Sequence, residues 1–405
     1  VPPDVLAALC APDALAAIAD AARELAAGRD ELRVLSALRR AHPPEVAAAI
    51  LTQARLRGKA VAKLGPRAAG MLLLEDSLQQ ASRPAVARLR AARLRAHGVT
   101  HLTDAGAGIG ADTIEYAAAG LRVTAIERDP VVAALLRHNV RGLDVTVVEG
   151  DALEHLPATG AVYFDPARRA GGRRIFDPEA CAPPLSALVA AHEHGLAVVA
   201  KMSPSLDLAQ VPAGWDADWV SAQTEQGRSV VEAALWSPPL GSGVRSARVL
   251  RQDDVATLRG PMPRAGTPAG APGPQPPAAA PLGRYVYEPD GAVNQAELAD
   301  VLAADLDAVR IEPRIAYLTG DRAVDTPLAH RYEVIERLPW SKRAVARLLS
   351  SYDASDLVVK KRGVRVDPTA LRKELLPRLR TRHGDPLVLI LLPYAGAELA
   401  VLARG

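Results

Sequence analysis

The chain has 405 residues, 49% of them hydrophobic, 23% charged and 3% aromatic, with a formal net charge of +3. That length suits two or three domains with real cores, and a charge so near neutral says little until it is located along the chain. Cys10 and Cys181 are the only cysteines and stand in no C-x-x-C setting, which argues against a disulfide scaffold and against a structural zinc site, so no metal is expected.

Residues 1–96 read as helical throughout from the spacing of their apolar positions. Val5, Leu6 and Leu9 open the run, and Leu15, Ile18, Leu25, Leu32, Leu35 and Leu38 follow at helical intervals. Pro43-Pro44 starts a new helix, since proline is favoured in a first turn, and Gly65-Pro66 and Arg83-Pro84 mark further breaks. Asp4, Asp13, Asp20, Arg23 and Glu24 interrupt every apolar run near the start, so no secretory signal is expected. No other stretch is long and apolar enough to span a bilayer, and the expectation is a soluble cytoplasmic protein without a membrane partner. The second half of this region is one-sidedly basic: Arg55, Arg57, Lys59, Lys63, Arg67, Arg83, Arg88, Arg90, Arg93 and Arg95 face only Glu75 and Asp76. It reads either as a solvated helical surface or as a phosphate-facing one, because counterion release rewards clustered cations on nucleic acid.

From 97 to 258, strand and helix alternate. A short apolar run from Val99 ends on Asp104, passes through Gly106, Gly108 and Gly110, and leads into Ala111–Ala118, in the order strand, tight loop, helix. Glycine is needed where the backbone takes positive φ or approaches a ligand closely, and a helix starting there turns its free N–H groups toward whatever binds. Leu121–Glu127 is a second strand ending in an acid, and Asp129-Pro130 then starts a helix. Asp144–Glu149, Ala161–Asp165 and Leu196–Lys201 are three more strands, the second of them running into Pro166-Ala167-Arg168-Arg169. Apolar strands separated by helices argue a parallel sheet covered on both faces. Trp215–Ala222 and Ser229–Trp236 then pair as a hairpin around Gln226-Gly227.

Residues 259–282 are Pro, Gly and Ala with almost no apolar bulk, which reads as a disordered, partly extended linker. A smaller domain follows over 283–405. Leu298, Val301, Leu302 and Leu306 make a helix, Lys342–Ser350 another, Leu357–Lys360 a strand, Pro368–Leu379 a helix and Leu387–Leu392 a buried strand. Its cations crowd between Lys342 and Arg382, with Asp353, Asp356, Asp367 and Glu374 the only acids among them, a second candidate nucleic-acid surface.

The glycine loop alone fits two families. Dinucleotide dehydrogenases use G-x-G-x-x-G/A, met by Gly106, Gly108 and Ala111; class I S-adenosylmethionine (SAM) methyltransferases use a strand-end acid and G-x-G-x-G, met by Asp104, Gly106, Gly108 and Gly110. Taken with Tyr163–Arg169, Val231–Trp236 and Lys360–Pro368, in that order and spacing, nearly the whole chain resembles a bacterial class I SAM-dependent methyltransferase with a C-terminal THUMP-like domain. The resemblance implies an α/β fold: a Rossmann-like seven-stranded methyltransferase sheet, preceded by a helical region and followed by a smaller α+β domain of an RNA-binding kind. A terminal hairpin with an antiparallel last strand is what separates that sheet from the dehydrogenase one.

On this reading SAM is the cofactor. Asp104 and the amides of Gly106, Gly108 and Gly110 suit its amino-acid end, Glu127 its ribose hydroxyls, and Asp151 with the Ala152 amide the edge of its adenine. Each alone also reads as a helix cap or loop carboxylate. Four polar positions just past successive strand ends favour a ligand, because ligands of open α/β sheets gather at that edge.

The acceptor is less constrained. Asp165-Pro166-Ala167-Arg168 departs at its third and fourth positions from the D/N/S-P-P-Y/F/W motif of amino-methyltransferases, so the Arg168 guanidinium or Phe176 would have to stack a base. Asp165, Lys201 and Glu232, with Lys59 or Lys63, are similar to the K-D-K-E set of ribose 2′-O-methyltransferases, where a lysine of lowered pKa helps remove a hydroxyl proton. The bland alternative is a strand-end lysine and a buried structural glutamate. Cys181 is not read as a cytosine C5 nucleophile. Arg168, Arg169, Arg173 and Arg174 around Gly171-Gly172 suit a cationic loop that closes over a polyanion. The expected function is methylation of RNA, at a base exocyclic amine or a ribose 2′-hydroxyl, with Arg55–Arg95 and Lys342–Arg382 as RNA grips and no obligate protein partner evident. The alternatives are an NAD-dependent oxidoreductase and a catalytically silent RNA-binding protein.

Overall fold

The computed structural model describes residues 2–167, 169–170, 173–174, 177–225, 227–252, 254–263 and 281–405. It divides into two compact units, Val1–Met202 with Ala234–Ser242, and Ser203–Ala233 with Gly243–Gly405.

In the first unit six helices precede any strand: α1 Pro3–Leu9, α2 Pro12–Ala26, α3 Glu31–Ala41, α4 Pro44–Leu64, α5 Glu75–Gln80 and α6 Pro84–Ala96. Prolines open four of them, where a missing N–H costs nothing, and Asp30 caps α3 by accepting from the Arg33 amide. Leu9, Ile18, Val34, Ile50 and Ala54 form the core between them. The region is not helical throughout. After a 3-10 turn at Gly65–Gly70, Met71–Leu74 is an extended strap outside any sheet.

A buried extended segment must place its backbone polar groups somewhere, and here side chains take them. Gln53 accepts from the Leu73 amide at 2.9 Å and donates to its carbonyl at 2.8 Å. Asn139 accepts from the Leu72 amide at 2.8 Å and donates to its carbonyl at 2.9 Å, and Arg57 donates to the Met71 carbonyl at 2.9 Å.

The α/β part comprises β1 His101–Ala105, α7 Ala111–Ala118, β2 Arg122–Glu127, α8 Pro130–Asn139, β3 Val145–Glu149, β4 Gly160–Phe164, the short ladder β5 Arg169–Ala170 with β6 Arg173–Arg174, α9 Leu185–Glu193 and β7 Leu196–Met202. The long strands run in the order β3-β2-β1-β4-β7, and all these pairs are parallel. Parallel register sets Asp104 beside Ala125 and Tyr163, so the C-terminal tips of β1, β2, β3 and β4 fall on one edge. Residues 234–242 complete this unit, with the Val198 amide donating to Ser237 Oγ at 2.8 Å.

The second unit holds β8 Asp216–Thr224, most of β9 Gly227–Trp236, β10 Val244–Arg251 and β11 Asp254–Pro261. β8 and β9 are neighbours, as the hairpin requires, while Gln226 lies outside the described residues. β10 pairs parallel with β8 and antiparallel with β11. Residues 259–261, expected in the linker, are the end of β11, and 264–280 lie outside the described residues.

The rest is β12 Tyr285–Pro289, α10 Gly291–Gln295, α11 Ala299–Leu306, β13 Val309–Arg310, β14 Leu318–Gly320, β15 Ala329–Pro339, α12 Lys342–Leu349, β16 Leu357–Lys361, α13 Pro368–Leu375, β17 Leu387–Tyr394 and β18 Ala397–Arg404. They form a sheet in the order β13-β14-β12-β15-β18-β17-β16, antiparallel except between β16 and β17. β17 is apolar on both faces because both are covered. Leu387, Leu389 and Leu391 face Val345 and Leu371, whereas Val388, Ile390 and Leu392 join Val286 and Ile311. Glu288 pins three strands and a loop, accepting from Tyr317 Oη at 2.9 Å, Tyr332 Oη at 2.8 Å and Lys360 Nζ at 2.5 Å.

Candidate cofactor and acceptor site

A cavity of about 520 Å³ opens at the strand tips of the first unit, lined among others by Asp104, Gly106, Gly108, Asp112, Glu127, Asp151, Ala152 and Asp165. Asp104 is 1% exposed. Its Oδ2 accepts from Thr113 Oγ1 at 2.5 Å, and its Oδ1 is buried without a hydrogen-bond partner among the described residues. Burial pushes this carboxyl up to about 8, with Asp112 and Asp165 adding to the rise against the Thr113 bond and the Arg90 charge. A buried acceptor without a donor is costly unless a ligand brings one.

The three glycines divide their work. All have positive φ, but Gly106 and Gly108 line the cavity whereas Gly110 does not. Gly110 precedes α7, and a Cβ there would meet Leu136 Cδ1 at 2.6 Å, so it serves helix packing. The loop amides, expected to face a ligand, are engaged within the protein. Gly106 and Ala107 donate to the Ile126 carbonyl, Gly110 to the Ala107 carbonyl, and Gly108 to Glu127 Oε2 at 3.0 Å. The loop therefore orients Glu127, whose Oε1 accepts from the Asp129 amide at 2.9 Å, leaving lone pairs of both oxygens for a vicinal diol. Asp151 accepts from the Leu153 amide at 2.9 Å, which fixes the turn that carries Ala152.

On the acceptor side, Lys201 Nζ donates to Asp165 Oδ2 at 2.8 Å and to the Gln80 carbonyl at 3.1 Å. Lys63 Nζ donates to the Leu78 and Gln79 carbonyls at 2.8 and 2.7 Å. The two lysines thus cap three successive carbonyls at the end of α5, whose Ser77 and Gln80 also line the cavity. Burial, then the charges of Lys201 and Arg83, hold Lys63 down to about 8. Lys59 instead pairs with Glu75 at 3.1 Å. Pro166 is buried behind Asp165 and is not on the cavity wall. Glu232 is buried on β9 in the second unit. Arg168 and Phe176 lie outside the described residues, as do the side chains of Arg169, Arg173 and Arg174.

Sequence reasoning passed over Asp112 and counted Arg90 only among the cations of the basic stretch. Asp112, in the first turn of α7, lines the cavity and pairs with Arg90, which is 2% exposed and also donates to Tyr116 Oη at 2.9 Å. An acid six residues past the first glycine was the available signal; its partner on a distant helix was not readable.

The basic stretch from Arg55 to Arg95 behaves differently from the expected RNA grip. Arg57 holds the strap, Arg67 and Arg88 flank the buried Glu115 at 3.5 and 3.2 Å, and Arg55 meets Glu31 at 3.5 Å. Arg93 and Arg95 donate to the Leu240 and Ala119 carbonyls, both at 2.6 Å. In the second unit Lys342, Lys360, Arg372 and Arg380 have carboxylate partners. Arg343, Arg347, Lys361, Arg362, Arg365, Lys373, Arg378 and Arg382 are exposed and form no ion pair among the described residues.

The residues present fit SAM: an unpartnered buried carboxylate oxygen for its ammonium, and a carboxylate with two fixed oxygens for its ribose diol, in one cavity. The comparisons agree. A family profile described as "Putative SAM-dependent methyltransferase" matches residues 58–150, "THUMP domain-like" matches 329–405, and a domain of unknown function matches 3–60. An uncharacterized S-adenosylmethionine-dependent methyltransferase of Mycobacterium tuberculosis is 32% identical over 354 residues, covering 85% of this chain and 92% of that one. Ribosomal RNA small subunit methyltransferase J of Alkalilimnicola ehrlichii is 34% identical over 154 residues, 33% of this chain and 58% of that one. The fold matches a crystal structure of a "putative methyltransferase" from Porphyromonas gingivalis W83 with a TM-score of 0.77 at 23% identity, covering 97% of this chain and 98% of that one. The dehydrogenase alternative, which rested on Ala111 standing as the third small residue, is set aside. The chain belongs to the class I S-adenosylmethionine-dependent methyltransferases that carry a C-terminal THUMP-like domain.

Proposed function

We propose that the chain methylates RNA, at an exocyclic amine of a base held against Asp165. The observation that carries the acceptor is the fixed Asp165 carboxylate on the cavity wall. One oxygen is tied to Lys201 at 2.8 Å, and the other has no protein partner among the described residues. SAM, when bound, supplies an electrophilic methyl carbon. An exocyclic amine is a poor nucleophile because its lone pair is delocalised, and a carboxylate that accepts one of its N–H bonds orients that pair in line and stabilises the charge that develops on nitrogen. The RNA reading is supported by the eight exposed cations of the THUMP-like domain that form no ion pair among the described residues, and by a relative named for ribosomal RNA.

A second reading, methylation of a ribose 2′-hydroxyl, is favoured by Lys63, held down to about 8 beside the Asp165–Lys201 pair. Against it, Lys63 points its ammonium at two carbonyls, and a base must turn a lone pair to its substrate.

The test is total RNA incubated with methyl-labelled SAM and digested to nucleosides for mass spectrometry. An N-methylated nucleoside is expected, with Asp165→Asn losing about 100-fold or more in rate while SAM affinity stays within about threefold. A 2′-O-methylated product abolished by Lys63→Met transfers the assignment to the second reading. Absence of label from every RNA pool ends the RNA reading.

A further inference from the structure

Three carboxylates surround the loop end of the cavity, and two of them have a cation of their own. Asp165 has Lys201 at 2.8 Å and Asp112 has Arg90. Asp104 has neither, only the Thr113 hydroxyl on one oxygen and no partner on the other. Arg90 is firmly held. It reaches in from α6, bonds Tyr116 Oη at 2.9 Å and Ser82 Oγ at 3.3 Å, and its guanidinium lies 4.9 Å from the Tyr163 ring centroid. A planar fork engaged on that many partners does not swing across to a second carboxylate.

We propose that Arg90 is a positioning residue for the cofactor: by pairing with Asp112 it leaves Asp104 as the one of these three carboxylates without a cation of its own, and so decides where the ammonium of SAM docks. Two adjacent bare carboxylates would compete for one ammonium and oppose each other's ionisation. With Asp112 and Asp165 each held by a cation, the amino-acid end of SAM meets one carboxylate of the three without an ion pair, at its buried oxygen that lacks a donor among the described residues. The groups facing Asp104 are Thr113, Asp112 and Tyr116 on α7, Arg90 on α6, and Asp165 after β4 with Lys201 behind it; Lys63 stands beyond, beside Asp112 and Asp165. The inference concerns cofactor binding and stands whichever acceptor is methylated.

The test is calorimetry of SAM binding to the full chain between about pH 6 and pH 9, a window that brackets the raised Asp104 carboxyl. Arg90→Met is expected to weaken binding about tenfold near neutrality and to move the midpoint of the pH profile up by about one unit, because Asp112 then bears an unshielded charge. The double variant Arg90→Met with Asp112→Asn is expected to bring the midpoint back to within about 0.3 unit of the wild type, since that charge is gone. Asp112→Asn alone is nearly isosteric and covers the case in which the arginine variant does not fold. It is expected to lower the midpoint by about half a unit, because the Asp112 charge that raises the Asp104 carboxyl is then gone. A merely structural Arg90 weakens binding at all pH values alike; an unmoved midpoint in Arg90→Met, or in Asp112→Asn, overturns the proposal.

Discussion

Two stretches of this chain, 55–95 and 342–382, carry ten and twelve cations and look alike as sequence. In the structure they differ in kind. In the first, nine of the ten pair with a carboxylate or donate to a backbone carbonyl: Arg57, Lys63, Arg93 and Arg95 close buried or half-buried carbonyls, while Arg67, Arg88 and Arg90 meet the buried Glu115 and Asp112. In the second, eight point at water without an ion pair among the described residues. Helices offer unsatisfied carbonyls at their C-terminal ends, so a helical region can absorb cations that a strand-and-loop region leaves exposed. A run of arginines is thus evidence of a polyanion partner only after its internal acceptors have been found.

That contrast can be broken most sharply at the C-terminal end. Reversing Lys361, Arg362 and Arg365 together to glutamate is expected to lower RNA affinity about 100-fold at low salt and to reduce the slope of log affinity against log salt by about two to three, with the melting temperature nearly unchanged. An equal loss from reversing Arg67 and Arg88 would erase the distinction between the two stretches.

Next in size is Arg57→Met. Arg57 is 4% exposed, burial lowers its pKa, and its removal leaves the Met71 carbonyl without its donor. The expected cost is about 2–3 kcal/mol in chemical denaturation, with RNA affinity of the folded variant within about twofold. A fall in RNA affinity without a fall in stability would place Arg57 among the ligand contacts instead.

The smallest effect concerns Asp104, which forms no ion pair among the described residues. Asp104 is raised by burial to about 8, so in the cofactor-free protein its contribution to stability is present below the ordinary carboxylate range and is lost as pH rises through about 8. The ammonium of SAM needs the ionised form. SAM affinity is therefore expected to rise about fivefold from pH 7 to pH 8, and the thermal stabilisation by SAM to grow as the cofactor-free melting temperature falls. A flat SAM affinity across that range would mean that Asp104 does not receive the ammonium.

Much of the site was legible in advance for a geometric reason. Parallel strands joined by helices end on one edge, so acids at consecutive strand tips, Asp104, Glu127, Asp151 and Asp165, had to arrive at the same cavity. The direction of the loop amides was not legible, because glycine admits several backbone paths and only the packed loop shows Gly108 donating to Glu127. β15 was missed because its exposed face carries charges that mask the two-residue alternation, and the strap at 71–74 because apolar residues between helices read as more helix.

By itself, the order of residues determined the strand-loop-helix unit and the acids at the strand ends, since these follow from local periodicity and backbone preference. Tertiary structure alone decided which charges meet. Arg90 and Asp112 stand 22 positions apart, Lys201 and Gln80 stand 121 apart, and Arg93 and Leu240 stand 147 apart. Long-range pairing of this kind is set by how helices and strands pack, and no spacing along the chain encodes it.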